Sequence, residues 1–237
     1  MAERPIYIPC SDGASLVITR YVQFQWFPGM AITQKQKSID ALHASAMQLP
    51  IERVLEISSK SKEPLGVALS AFNLMINTVK QNRTFSVESA YQGSKVFEHG
   101  GPYVDLLEKS SREAKKDPRI QESGKLRGFR FFGTDWELEP QTAFYDWLYI
   151  NALKKQPRLA TELESYSAFT DIEFNPERSI NCQAYSVALF LSLQRRNKLD
   201  YATSSKPAFL EVVTGALVNN AREDETIQKG LRFGSEI

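Results

Sequence analysis

Residues 181–195, NCQAYSVALFLSLQR, read as a strongly apolar helix and constrain the fold more than any other stretch. No run in the chain approaches the roughly 18 apolar residues that a bilayer-spanning helix needs. A helix of this composition must therefore be wrapped by the rest of the chain. The wrapping material is available, since 42% of the 237 residues are apolar. That length suits one domain with an elaborated end, or at most two small ones.

Charge and cysteine content narrow the function classes. Lysine plus arginine total 29 and aspartate plus glutamate 28, a net charge of +1. Such a balance does not suit bulk nucleic-acid binding driven by counterion release, though it leaves room for a local basic patch or a pocket that reads one nucleotide. Two cysteines, Cys10 and Cys182, and two histidines, His43 and His99, are too few for a zinc site built by the protein, so no metal is expected. The opening MAERPIYIPCSDG has no basic region followed by an apolar core, so no secretory leader is expected and a cytoplasmic location is.

Along the chain, SLVITRYVQFQWF (15–27) reads as a strand or hairpin, punctuated by Pro28-Gly29. Thr33 is placed to cap a helix with Ile39, Leu42, Ala46 and Leu49 on one face. RVLEISS reads as a short buried strand, SKSKEPLG as a loop and VALSAFNLMI as a second strand-like segment. Ser86 is a candidate N-cap for a helix over about 87–98, ending at His99-Gly100-Gly101. Pro102 starts a further amphipathic helix, and Pro140 opens a long aromatic one that stops before Pro157. FTDIEFN is strand-like, and AFLEVVTGALVNNA suggests a last helix. The inventory is α+β, dominated by helices with a small β component.

Within SVESAYQGSKVF, Glu88 and Lys95 are seven residues apart, which on a helix returns both to nearly one face with Tyr91 and Gln92 between them. A carboxylate, a phenol, an amide and an amine on one stripe suit a site wall. The alternative is an ordinary solvated stripe.

These residues resemble a motif of the NADAR (YbiA-like) family, T-x-E-H-x-x-Q-A-x-K-F. Glu88, Gln92 and Lys95 match it, with Gly93 at the small position and one extra residue before Phe97. Leu69-Ser70-Ala71-Phe72 is similar to the family's F-S-N-F, with Ala71 replacing the asparagine and Asn73 nearby. Asp135-Trp136-Glu137 and Leu148-Tyr149 match a D-W-E segment and a later L-Y, and Leu159, Leu163, Glu173 and Asn181 match further positions. Ser89 stands where the family has histidine. The resemblance spans roughly residues 53–195 and is nearer to NADAR antitoxins paired with DarT-type DNA ADP-ribosyltransferase toxins.

The resemblance implies a helix-dominated NADAR-like domain over 53–197, with an N-terminal extension (1–52) and a C-terminal helical tail (198–237) packed on it. It implies hydrolysis of the bond between ADP-ribose and a guanine base in DNA, releasing ADP-ribose, with a DarT-type toxin as possible partner and neither cofactor nor membrane. An N-glycosidase acting on phosphoribosylated riboflavin intermediates, or a non-catalytic module binding ADP-ribose or the toxin, are the alternatives. Breaking an N-glycosidic bond needs one group to protonate or hydrogen-bond the leaving nitrogen and another to activate water or stabilise the sugar cation. Glu88 suits the second role. Lys95 either orients phosphate or ribose, or attacks an opened ribose as a free amine. Trp136 either stacks on a substrate ring or packs in the core, and Asp135 either lines the site or caps a turn. Ser58, Ser59 and Lys60 lie in a loop after a strand, either suited to diphosphate or simply solvated. Phe72 and Asn73 either hold the nucleobase or make a core contact and a turn, Ser70 is a further substrate-binding candidate, and Glu173 and Asn181 either line the pocket or pair with backbone. His43 and His99 are expected to be structural or surface groups, and Lys35, Lys37, Arg195 and Arg196 ordinary surface charge unless they meet DNA phosphates.

Overall fold

The computed structural model describes residues 1–78, 82–177 and 179–216. A four-stranded sheet organises them. Strand β1 (Ala2–Pro9) forms a hairpin with β2 (Val17–Phe24), in register from Ala2↔Phe24 to Pro9↔Val17. On its other side β1 meets β9 (Ala168–Thr170) through Tyr7↔Phe169, and β9 runs parallel to β3 (Val54–Glu56). The order is β2-β1-β9-β3, so strands from the first 52 residues and from the later chain share one sheet.

Because successive side chains in a strand point to opposite faces, this sheet feeds two cores. Ile6, Val22, Phe24 and Ala168 face helix α1 (Ile32–Ala46), packing against its Ile39, Leu42 and Ala46. Tyr7, Val17, Leu55 and Phe169 face the opposite way, toward α8 (Gln183–Arg195) and α6 (Ala143–Lys154). Helix α8 is the apolar stretch anticipated above, and Val187, Ala188, Leu189, Phe190, Leu191 and Leu193 are all buried. The α1 cap differs from expectation. Ala31 occupies the N-cap with no side-chain bond, and Thr33 lies one residue inside the helix.

Two smaller sheets flank the second core. Strands β4 (Met75–Thr78) and β5 (Arg83–Ser86) form one hairpin, and β6 (Lys95–Phe97), β7 (Leu126–Phe131) and β8 (Thr134–Trp136) form a meander. Three sequence expectations change here. Val67 and Ala68 of the second strand-like segment close helix α2 (Pro64–Ala68), which also takes Pro64–Gly66 from the expected loop, because Pro64 at its first turn presets the backbone; Leu69 caps the helix and Ser70 lies in the turn beyond. The strand begins only at Met75. Helix α3 (Val87–Gly93), capped as expected by the Ser86 hydroxyl accepting from the Ser89 amide, stops at Gly93 rather than near 98. After it the Arg130 amide donates to the Ser94 carbonyl, and Lys95 and Val96 pair with β7, which satisfies their backbone groups in a ladder. The helix expected from Pro102 divides into a 3-10 turn (Val104–Glu108) and α4 (Ser111–Lys116). Ser110 and Glu113 form a capping box that restarts the helix.

Helices α5 (Arg119–Glu122), α7 (Pro157–Leu163), α9 (Leu199–Ser204) and α10 (Lys206–Thr214) complete the described architecture. Residues 217–221 of the expected last helix, and the end of the C-terminal tail, lie outside the described residues. Among the described residues no helix is long and apolar enough to cross a membrane.

Candidate functional site

Strands β3 and β9 run parallel, so their carboxyl ends open on the same side. The loops leaving them line a cleft of about 800 Å³. Loops at the carboxyl ends of parallel strands are where open α/β sheets generally place ligands. From β3 come Ser58, Ser59 and Lys60, and from β9 come Asp171, Glu173 and Phe174. The Ser58 hydroxyl accepts the Lys60 amide at 3.2 Å and shapes the first loop. Gly66 of α2 presses on that loop from behind, and a Cβ there would collide with the Glu56 carbonyl and the Ser61 side chain.

The opposite wall is the turn Ser70-Ala71-Phe72-Asn73 and the helix it supports. The Glu88 amide donates to the Ala71 carbonyl at 2.9 Å, which docks the first turn of α3 onto this turn. Glu88 is only 6% exposed, yet it lines the cleft. Its Oε1 accepts from Gln92 Nε2 at 2.9 Å and lies 3.9 Å from the Lys115 ammonium of α4. Gln92 thus spends its amide NH2 on Glu88, and its own Oε1 is buried with no hydrogen-bond partner. Lys95 reaches the cleft from strand β6, with its ammonium 4.8 Å from the centre of the Tyr91 ring. Glu88 and Lys95 therefore share the cleft, as expected, but not through helical periodicity. The chain turns from helix to strand between them. Burial outweighs the attraction of Glu88 and brings the Lys95 amine down to about 8, a shift to which Lys115 adds.

Tyr91 and Asn181 are joined, the Asn181 amide donating to the Tyr91 hydroxyl at 2.6 Å. Burial keeps this phenol protonated far beyond neutral pH, with Glu88 adding to the effect and Asn181 opposing it. The ring packs edge-on to Tyr145, centroids 5.2 Å apart, and Tyr145 also faces the cleft. Phe72 forms a further wall, with Lys115 poised 5.2 Å from its ring centre. Asn73 holds the turn by donating to the Val67 carbonyl at 2.8 Å, as Ser70 does at 2.9 Å. Glu173 is paired with Lys35 of α1 at 3.1 Å, so α1 braces the β9 loop.

Twelve of the expected site residues thus converge on one cleft, and Asp135 and Trp136 do not. Trp136 is 3% exposed and packs among Phe144, Trp147 and Phe209, at centroid distances of 5.6, 5.1 and 6.4 Å. The large indole is drawn into the aromatic core between β8 and α6. Asp135, exposed on the β7–β8 hairpin, pairs with Arg130 at 2.5 Å. Among the basic residues read as surface charge, Arg196 has a structural task. Its guanidinium donates to the carbonyls of Cys10, Asp12, Gly13 and Ser15 and fastens the β1–β2 loop to the end of α8. His43, as expected, is structural, hydrogen-bonded to Thr170 at 2.9 Å and lowered to about 4, chiefly by burial.

Sequence reasoning missed Asp171, Gln183, Tyr145, Arg112 and Lys115. Asp171 carried a signal, since it is a lone carboxyl inside the apolar run AFTDI. Arg112 and Lys115 carried none, because an exposed basic helix face looks like solvated surface. Among the described residues, no group of three or more histidine, cysteine, aspartate or glutamate side chains is arranged to hold a metal ion.

The fold and this cleft define a mixed α+β protein whose pocket sets buried carboxyls against amines and neutral phenols. Residues 2–223 match the family of DarT1-associated NADAR antitoxins, and the chain belongs to that family. No curated protein matches the chain.

Proposed function

We propose that the protein hydrolyses the N-glycosidic bond between ADP-ribose and guanine in DNA, reversing the modification made by a DarT-type toxin. Glu88 carries this reading: a nearly enclosed carboxylate at the start of a helix, facing a cleft whose other ionisable groups are largely cationic. Lys60, Lys95, Arg112 and Lys115 supply the positive charge that a diphosphate requires. Phe72, Tyr91 and Tyr145 supply flat apolar surface for a base or ribose. A volume of about 800 Å³ suits a ligand of this size.

In this reading Glu88 takes a proton from the attacking water and stabilises positive charge on the ribose. Gln92 and Lys115 hold the carboxylate in place. Lys95 seats ribose or phosphate. A second reading for Lys95, attack by its free amine on the opened ribose, is favoured by its lowered pKa of about 8.

The test is incubation with DNA carrying ADP-ribosyl-guanine, beside ADP-ribosyl-thymine. We expect ADP-ribose release from guanine and a rate about 10²-fold or more lower in Glu88→Gln, the usual scale of acid–base catalysis, with the fold and ADP-ribose affinity retained. Near-full activity in Glu88→Gln would remove the catalytic assignment. No release from either base by the parent protein would remove the glycohydrolase reading.

A further inference from the structure

Water activation accounts for one side of the glycosidic bond, and the departing nitrogen still needs a proton. The wall of the cleft holds a carboxyl that this chemistry has not used, Asp171, and a second, Glu56, is buried behind the cleft lining. Glu56, at the end of β3, and Asp171, just past the end of β9, are both buried, and Asp171 faces the cleft at 8% exposure.

The two are provisioned differently. Glu56 accepts from the Ile172 amide at 2.8 Å, from the Thr170 hydroxyl at 2.8 Å and from Ser58. Behind Thr170, His43 Nε2 hydrogen-bonds its hydroxyl at 2.9 Å. Asp171 accepts from the Glu173 amide at 3.0 Å and from Gln183. Both are raised by burial; with more donors, Glu56 is the better seat for the negative charge and Asp171 the better seat for a proton.

Gln183 ties Asp171 to the Glu88 wall. Its amide carbonyl accepts the Ala71 N–H at 2.7 Å, and the Ala71 carbonyl accepts the Glu88 N–H. A continuous chain, Asp171–Gln183–Ala71–Glu88, thus ties the Asp171 carboxyl to the backbone that carries Glu88.

The geometry points to Asp171 as the acid of the reaction, giving its proton to the departing guanine nitrogen while Glu88 receives the proton of the attacking water, with Gln183 as the positioning residue. The inference rests on the glycohydrolase reading. The bond from the ribose anomeric carbon to nitrogen breaks with its electron pair staying on nitrogen, and the Asp171 proton completes the amino group. The water oxygen bonds the anomeric carbon, and solvent exchange returns the proton from Glu88 to Asp171. Pairs of carboxyls held in opposite protonation states are how many active sites combine acid and base at neutral pH. Burial, then the charge of Glu56, pushes Asp171 well above the usual carboxylate range, and Glu173 adds to this. The other groups facing it are Tyr7 of β1, Tyr145 and Tyr149 of α6, and Cys182 at the N-cap of α8, all kept protonated by burial, with Arg4 the cation.

The test compares two substrates that differ in their need for an acid. One is DNA carrying ADP-ribosyl-guanine. The other is ADP-ribose joined at the same anomeric carbon to 4-nitrophenol, which leaves as an anion unaided. Asp171→Asn should lower the guanine rate by about 10²-fold or more and the nitrophenyl rate by less than about threefold, whereas Glu88→Gln lowers both. In the parent protein the guanine profile should carry an alkaline fall that the nitrophenyl profile lacks. Lys95 titrates in both, so the difference between the profiles reports Asp171, and this comparison holds even if Asp171→Asn fails to fold. Equal losses on the two substrates, or identical profiles, would overturn the assignment. Inactivity of the parent protein on both would instead overturn the glycohydrolase reading, and the assignment with it.

Discussion

Trp136 separates a ligand-stacking aromatic from a core aromatic, and the two roles predict opposite results for one substitution. The indole is 3% exposed and touches Phe144, Trp147 and Phe209, with the Lys206 ammonium 5.4 Å from its ring centre. Its Nε1 has no hydrogen-bond partner, so truncation removes packing and no bond. Trp136→Ala empties a site enclosed by three rings, a change that typically costs about 3–5 kcal/mol. For a chain of this length each kcal/mol lowers Tm by roughly 2–4 °C, giving a fall of roughly 6–20 °C. Trp136→Phe, which refills most of the volume, should lose much less. Thermal denaturation followed by circular dichroism measures the fall, and titration with ADP-ribose well below Tm measures affinity. We expect a large drop in Tm with affinity changed less than about twofold. Loss of 1–3 kcal/mol of binding, the scale of a lost stacking contact, with Tm unchanged would refute the core assignment and return Trp136 to the site.

With an amine near pH 8, Lys95 passes from about 1% free base at pH 6 to about half at pH 8, so borohydride added during turnover should trap more covalent adduct at the higher pH and none in Lys95→Ala. Absence of any adduct would leave Lys95 a positioning role. Gly66→Ala drives a methyl into the Glu56 carbonyl and Ser61, so we expect a loss of about 1–3 kcal/mol in urea denaturation, together with weaker ADP-ribose binding through the displaced Ser58–Lys60 loop. Unchanged values on both counts would mean the loop is not braced from behind. Asp146, enclosed in α6, is pushed up to about 7 by burial against the opposing hydroxyls of Ser186 and Thr142. Its folded value lies above the unfolded one near 4, so its contribution is present below pH 4 and is lost as pH rises through 7. The Tm of Asp146→Asn relative to the parent should therefore move in the variant's favour between pH 5 and pH 8, and a constant difference would contradict the burial account.

What the sequence revealed depended on whether local chemistry and long-range pairing agreed. Helix α8 was legible because its apolar character fits any fold that encloses it, and Ser86 was legible as a cap because capping is local. The end of α3 was not. SVESAYQGSKVF continues plausibly as a helix to Phe97, and only the presence of β7, thirty residues later, turns Lys95–Phe97 into a strand. The same competition explains why the right pair of residues emerged from the wrong geometry. Glu88 and Lys95 were linked through a helical repeat, whereas the fold joins them by docking α3 on the Ala71 turn and leading the chain out along the cleft edge. Family resemblance carried residue identities across that error, because a motif records which side chains meet and is silent on the backbone that brings them together. Where the motif held no position, as at Asp171 and Gln183, only the parallel pairing of β3 with β9 and the hydrogen bond from Ala71 to Gln183 bring those groups to the cleft. Neither contact leaves a mark within a dozen residues of sequence. Long-range contacts of this kind decide which carboxyl in a site is solvated and which is buried beside another, and therefore which is fitted to accept a proton and which to give one.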